Sequence, residues 1–141
     1  MQRKASAAWQ GGLKDGKGTL TTESGVLSGT PYSFGTRFES ARGTNPEELL
    51  GAAHAGCFSM ALSMMLGEAG IRPEQIDTGA TVTLEKLDTG FAITKVHLDV
   101  NVRAPGADGA KFDEAAQKAK AGCPVSKVLK AEITMNARLA G

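Results

Sequence analysis

The sequence lacks a dominant charge: 16 Lys and Arg stand against 15 Asp and Glu, interspersed along 141 residues, for a net charge of +1. With no basic stripe to follow a phosphate backbone, nucleic acid is excluded as a partner. It also lacks a long uninterrupted apolar run. Residues 49–66, "LLGAAHAGCFSMALSMML", carry no full charge but include His54, Cys57, two Gly and two Ser. They fall short of the ~20 residues that span a bilayer, so a buried helix and no membrane association are expected. The opening segment "MQRKASAAWQGGLKDGKG" is basic at its start but has no apolar h-region, which reads as a cytoplasmic protein. Phosphate-cradling Gly loops, a Ser-centred hydrolase elbow and a dinucleotide fingerprint are missing as well, and no cofactor is called for. No repeat or low-complexity segment interrupts the chain, and one domain over residues 1–141 is the simplest organisation.

Cysteine and histidine are scarce, with two of each. Cys57 and Cys123 could close a structural disulfide, but in a reducing cytosol a redox or catalytic role is favoured. His54, Cys57, His97 and Cys123 could be written as a zinc set. They show no CxxC or HxxxH clustering, and His97 falls on the polar face of its strand, so no metal is expected.

What is present is a succession of well-marked elements. The first third is rich in Gly, Ser and Thr, and "KASAAWQ", "GKGTLTTES" and "PYSFGTRFE" read as strands set off by turns. A long helix follows. Asn45 is a good N-cap, Pro46 sits at the first helical position, Glu48 is placed for a capping box, and Gly and Pro in "GEAGIRP" end the helix near Glu68. "KVHLDVNVR" alternates without a fault, with Val96, Leu98, Val100 and Val102 on one face, and residues 79–87 are its expected hairpin partner through "LDTGF". An amphipathic helix "KFDEAAQKAKAG", a break at Gly122, a short helix from Pro124 and a last strand "EITMNARL" complete the chain. This order predicts an α+β fold with a mainly antiparallel sheet. The long helix is apolar around nearly its whole circumference, which predicts cover on both sides and hence a two-fold homodimer.

Cys57 lies mid-helix, where burial alone raises a thiol's pKa and leaves it inert. A reactive Cys57 therefore needs a cation. His54 shares its helix face but reads first as a packed or hydrogen-bonded core residue. Arg37 and Arg42 lie on the segment leading into the helix, and Phe34 and Phe38 would make the surroundings of Arg37 apolar. Cys123, just before Pro124, sits at the start of the short helix and is by position the easier of the two to ionise.

The runs "YSFGTRFE", "GTNPEELLGAAHAGCFSMALSMMLGEAG", "GFAITK" and "KAKAGCPVSKVLKAEIT" closely resemble the OsmC/Ohr family over nearly the whole chain. The resemblance implies an intertwined homodimer with antiparallel sheets wrapped around long central helices. It implies a thiol peroxidase acting on organic hydroperoxides and restored by a dithiol, a dihydrolipoyl protein being the kind of reductant suggested. By motif, Cys57 is then the peroxidatic and Cys123 the resolving cysteine, Arg37 the family arginine and Glu47 its carboxylate partner. Phe34, Phe38, Phe58 and Met60 are candidates for the apolar substrate surface. The hydroperoxide-resistance branch carries an aromatic residue at the place of His54, which argues against His54 as a base. On a straight helix Glu47 and Cys57 are ~15 Å apart along the axis, so one arginine serving both implies the partner chain or a sharp bend at Gly51 or Gly56. A non-catalytic redox sensor or binding protein using the same thiols is the alternative.

Overall fold

Three short strands open the chain and pair antiparallel with their sequence neighbours: β1 (Ala5–Gln10), β2 (Lys17–Thr22) and β3 (Thr30–Tyr32), in the order β1-β2-β3. The chain's computed structural model describes residues 1–140. Gly141, the last residue of the single expected domain, lies outside them. The chain divides into two compact units, Met1–Leu49 and the part from Leu50 onward.

In the first unit two aromatic rings, from the strands on either side, meet over the β2 backbone at Gly18. Trp9 and Tyr32 have centroids 5.4 Å apart, and a Cβ added at Gly18 would clash with Tyr32 and lie 2.7 Å from the Trp9 ring. Only glycine permits that approach. Gly18 is also the only buried residue among those of this unit, which therefore has no hydrophobic core of its own. The segment "PYSFGTRFE", expected as one strand, instead splits into β3 and a short helix α1 (Phe34–Phe38). The cause is local. The Ser33 hydroxyl accepts from the Thr36 N–H while the Thr36 hydroxyl oxygen accepts from the Ser33 N–H, a complete capping box that starts a helix despite the β-prone aromatics.

Helix α2 (Pro46–Glu68) begins and ends as expected. Asn45 Oδ1 accepts from the Glu48 N–H at 2.8 Å, and its amide donates to the Thr36 carbonyl, fixing the approach of the chain to the helix. At 23 residues α2 is long and apolar enough, by length and composition alone, to cross a membrane. Here Gly51, His54, Phe58, Leu62 and Leu66 form a buried stripe at near four-residue spacing, while Met60 and Met64 are 77% and 55% exposed on other faces.

The second unit is built on β4 (Gln75–Leu87), β5 (Gly90–Arg103) and β6 (Glu132–Ala140). β4 and β5 form the expected hairpin, longer at its start than the sequence pattern indicated and shifted in register between Thr83 and Leu84. Helices α3 (Gly109–Gly122) and α4 (Pro124–Val128) carry the chain back, so that β6 runs parallel to β5. A parallel neighbour requires such a crossover. Val96, Leu98, Val100 and Val102 are fully buried, and with Phe58, Leu62, Leu66, Phe112, Ala115, Ala116 and Ala119 they make the core of this unit. Asp108 caps α3 by accepting from the Lys111 N–H.

Candidate active site

Two thiols meet at the junction of α2 and α4. Cys57, half-buried on α2, and Cys123, fully buried at the residue between α3 and α4, have sulfurs 3.0 Å apart and share an S–H···S hydrogen bond; both are free. Residues 66 positions apart in sequence thus stand in contact, and a disulfide would need a further approach of about 1 Å. The α4 start is set by Pro124 at its first position, a residue whose missing N–H costs nothing there. Cys123 donates its own N–H to the Ala119 carbonyl and its carbonyl accepts from Lys127, so its backbone is held from both helices.

The surroundings treat the two sulfurs differently. Burial, the largest cause, and the hydrogen bond with Cys123 push the Cys57 thiol up, against a smaller opposing effect of the Val125 N–H. Burial opposes ionising Cys123 too, but the hydrogen-bonding influence of Cys57, of the Ser126 N–H and hydroxyl and of the Val125 N–H on the charged sulfur outweighs it, and its pKa is lowered. The two directions agree with the easier ionisation of Cys123 that its position before Pro124 suggested. A thiolate at Cys57 needs a cation facing it.

His54 is fully buried one turn before Cys57, with Nε2 2.7 Å from the Ser126 hydroxyl and Nδ1 without a hydrogen-bond partner. Burial lowers its pKa, so the ring is neutral. It is the hydrogen-bonded core histidine that helix spacing indicated. Ser126, which meets this histidine, escaped the sequence reading. No local signal marked it, because its partner lies 72 positions away on α2.

The first unit holds an arginine paired with a carboxylate. Arg37 of α1 meets Glu47 of the first turn of α2 in a bidentate pair, with Nη2 to Oε1 at 2.8 Å and Nε to Oε1 and Oε2 at 3.1 and 3.3 Å. Such a fork fixes the guanidinium plane as well as its position. The guanidinium carbon also lies 5.2 Å from the Phe38 ring centre, and Phe34 packs on Phe38 with centroids 4.9 Å apart. Arg42 is exposed. Of the apolar candidates, Phe58 is fully buried in the core of the second unit, whereas Met60, one turn beyond Cys57, is exposed. Among the described residues no three of His, Cys, Asp and Glu are grouped so as to hold a metal ion, and His97 Nδ1 is engaged with the Thr134 hydroxyl 2.6 Å away.

A dithiol contact on an α+β frame, with an arginine–carboxylate fork in the same chain, is the arrangement of a thiol-based redox protein. The family model described as OsmC-like protein matches residues 39–138. A protein of Escherichia coli (strain K12) named Peroxiredoxin OsmC is 63% identical over 139 residues, covering 99% of this chain and 97% of its own. The organic hydroperoxide resistance protein OhrB of Bacillus subtilis (strain 168) is 28% identical over 122 residues, covering 86% of this chain and 88% of its own. The crystal structure of Bacillus subtilis OhrB superposes with a TM-score of 0.69 at 25% identity, covering 96% of this chain and 98% of that one. An OsmC-like protein from Mycoplasma pneumoniae gives 0.77 at 16% identity, covering 100% and 99%, a likeness of fold. This chain belongs to the OsmC family.

Proposed function

We propose that this chain is a thiol peroxidase that reduces organic hydroperoxides to alcohols. The observation that carries the reading is the contact of two free thiols, 3.0 Å apart, against an apolar core. The names of the relatives, a peroxiredoxin and an organic hydroperoxide resistance protein, support it.

Only a thiolate attacks a peroxide oxygen effectively. Cys57 is the attacking sulfur because it is the less buried of the pair. With Arg37 facing it, the shared proton rests on Cys123 and Cys57 carries the charge, while Glu47 holds the guanidinium by its fork. The Cys57 sulfur bonds to one peroxide oxygen, the O–O bond breaks, and the alkoxide takes a proton to leave as alcohol, giving a sulfenic acid. Cys123 condenses with that acid to a disulfide and water, and an external dithiol, of which a dihydrolipoyl protein is one kind, returns both thiols. The cycle belongs in the cytoplasm, where such reductants are maintained. Phe34 and Phe38 beside Arg37 and Met60 beside Cys57 receive the hydrocarbon tail, and Phe58 backs Cys57 from the core.

The working form is a homodimer. A first unit with no buried hydrophobic side chain and a long helix with exposed Met60 and Met64 both call for cover, and a second copy of the chain supplies it. On this reading Arg37 and Glu47 of one chain serve Cys57 of the other. The helical rise of ~15 Å between Glu47 and Cys57 within α2, which runs without a break, supports that assignment.

The test is steady-state consumption of cumene hydroperoxide or a fatty-acid hydroperoxide, beside hydrogen peroxide, with a dithiol reductant. Turnover that favours the organic peroxide and disappears in Cys57→Ser is expected. Oxidation once per chain with no turnover would replace the peroxidase by a redox sensor.

A further inference from the structure

We infer that the first unit holds a site for an organic carboxylate, with Lys17 and Arg42 as its cationic anchors, and that this site selects hydroperoxides whose hydrocarbon chain ends in an acid group. The selection deepens the peroxidase reading and rests on it, whereas the carboxylate site itself does not.

A cavity of about 670 Å³ lies between one face of the β1-β2-β3 sheet and the segment that joins α1 to α2, and every residue lining it belongs to Met1–Leu49. Its size is within the ~300–1,000 Å³ usual for small-ligand sites. The strand register fixes its floor. Gln10 stands opposite Lys17, and Ala8 opposite Thr19, which in turn stands opposite Pro31, so these five side chains share one face of the sheet. The facing wall is formed by Ser33, Thr36 and residues 41–44. Gly43 lets that segment lie close on α1: its φ is +147°, and a Cβ there would come within 2.8 Å of the Thr36 side chain.

Charge and surface decide the ligand. Lys17 comes from the floor and Arg42 from the wall, no Asp or Glu lines the cavity, and among the described residues neither cation forms an ion pair. An anion placed there is held from two sides, and the repulsion between the two cations is relieved. The rest of the lining is largely carbon, from Ala8, Pro31, Ala41 and the methyl groups of Thr19, Thr30 and Thr44. That suits a hydrocarbon chain with one anionic end better than a phosphorylated sugar, which needs donors along its whole length. The cavity shares Thr36, Ala41, Arg42 and Gly43 with a second hollow of about 440 Å³ that reaches Arg37. Glu39 and Glu48 line only this second hollow, so a carboxylate is disfavoured there and a neutral hydroperoxide is not. An acid anchored at Lys17 and Arg42 thus extends its uncharged end toward the guanidinium at which the peroxide is handled, and an ester of the same chain has no anchor.

Trp9 is the chain's only tryptophan, and its ring meets Tyr32 and Gly18, both of which line the cavity, so its fluorescence reports occupancy. Dodecanoate titrated into the full chain below its micelle concentration is expected to bind saturably and about tenfold tighter than dodecanol, the neutral probe of equal length. Lys17→Gln and Arg42→Gln, both at exposed positions, should each weaken dodecanoate about five- to tenfold without a matching loss for dodecanol. In turnover, kcat/KM for linoleic acid hydroperoxide should exceed that for its methyl ester severalfold, about the preference that one charge-assisted contact gives, and the ratio should fall toward one when both cations are replaced. Equal affinity for acid and alcohol, or dodecanoate binding unmoved by either substitution, would overturn the inference. Charge-dependent binding of dodecanoate without peroxide turnover would leave the carboxylate site standing and remove the peroxidase reading instead. Turnover with equal kcat/KM for acid and ester would keep the peroxidase and overturn the selection.

Discussion

At the scale of single residues, the chemistry depends on where two protons sit. Cys57 and Cys123 share one across 3.0 Å, and the donors clustered at Cys123 draw the charge there unless a cation faces Cys57. Removing Arg37 should then cost far more than its pairing energy. Arg37→Ala is expected to lower kcat/KM for an organic hydroperoxide on the order of 100-fold, with Arg37→Lys recovering little because an ammonium cannot reproduce the fork to Glu47. Steady-state kinetics of the two variants checks it. His54 carries a second consequence at this scale. Burial holds its pKa below the ordinary 6.5, so below that pH the unfolded chain takes up a proton that the folded one refuses. Its contribution to stability is fully present above pH 6.5 and declines as the pH falls toward the lower folded value, by at most about 1.4 kcal/mol per pH unit. Urea midpoints measured between about pH 7.5 and about pH 5.5 should fall less in His54→Gln than in the parent chain.

At the scale of elements, α2 shows why some structure was legible and some was not. Its limits followed from Asn45, Pro46 and the closing "GEAGIRP", all local signals that tertiary contacts had no reason to override. Asn45→Ala should cost about 1 to 2 kcal/mol, since that side chain serves both the Glu48 N–H and the Thr36 carbonyl. Leu62→Ala, in the fully buried stripe, should cost about 2 to 5 kcal/mol. Chemical denaturation separates the two magnitudes. The faultless alternation of β5 likewise named its buried face, because a period of two leaves no second solution. α1 was missed for the opposite reason. "PYSFGTRFE" has strand-like composition, and the reciprocal bonds of Ser33 and Thr36 decide against it over a stretch too short for periodicity to speak. The parallel setting of β6 was equally out of reach, since direction depends on how α3 and α4 return the chain.

At the scale of the whole molecule, the unpartnered surfaces make the dimer reading testable. A charge placed among the exposed methionines of α2, as in Met60→Glu, should yield a monomer by sedimentation where the parent chain is a dimer. The sharing of residues across that interface has a sharper check. Mixed dimers of a Cys57→Ser chain with a Glu47→Ala chain should recover about half of the parent activity per dimer, because one site collects both lesions and the other none. If each chain served itself, every site would be damaged and no recovery would be seen.

The sequence by itself determined the elements with strong local signals and the buried face of β5, and it named Cys57, Cys123, Arg37 and Glu47 as candidates through motifs specific in residue type and spacing. Those depend on neighbours a few residues away, where capping, period and family pattern act. Only the tertiary structure brought Cys57 and Cys123 within 3.0 Å, set Ser126 against His54, and left the first unit without a buried core. Contacts between residues 66 and 72 positions apart are fixed by how α3 and α4 pack back against α2, which no local pattern encodes.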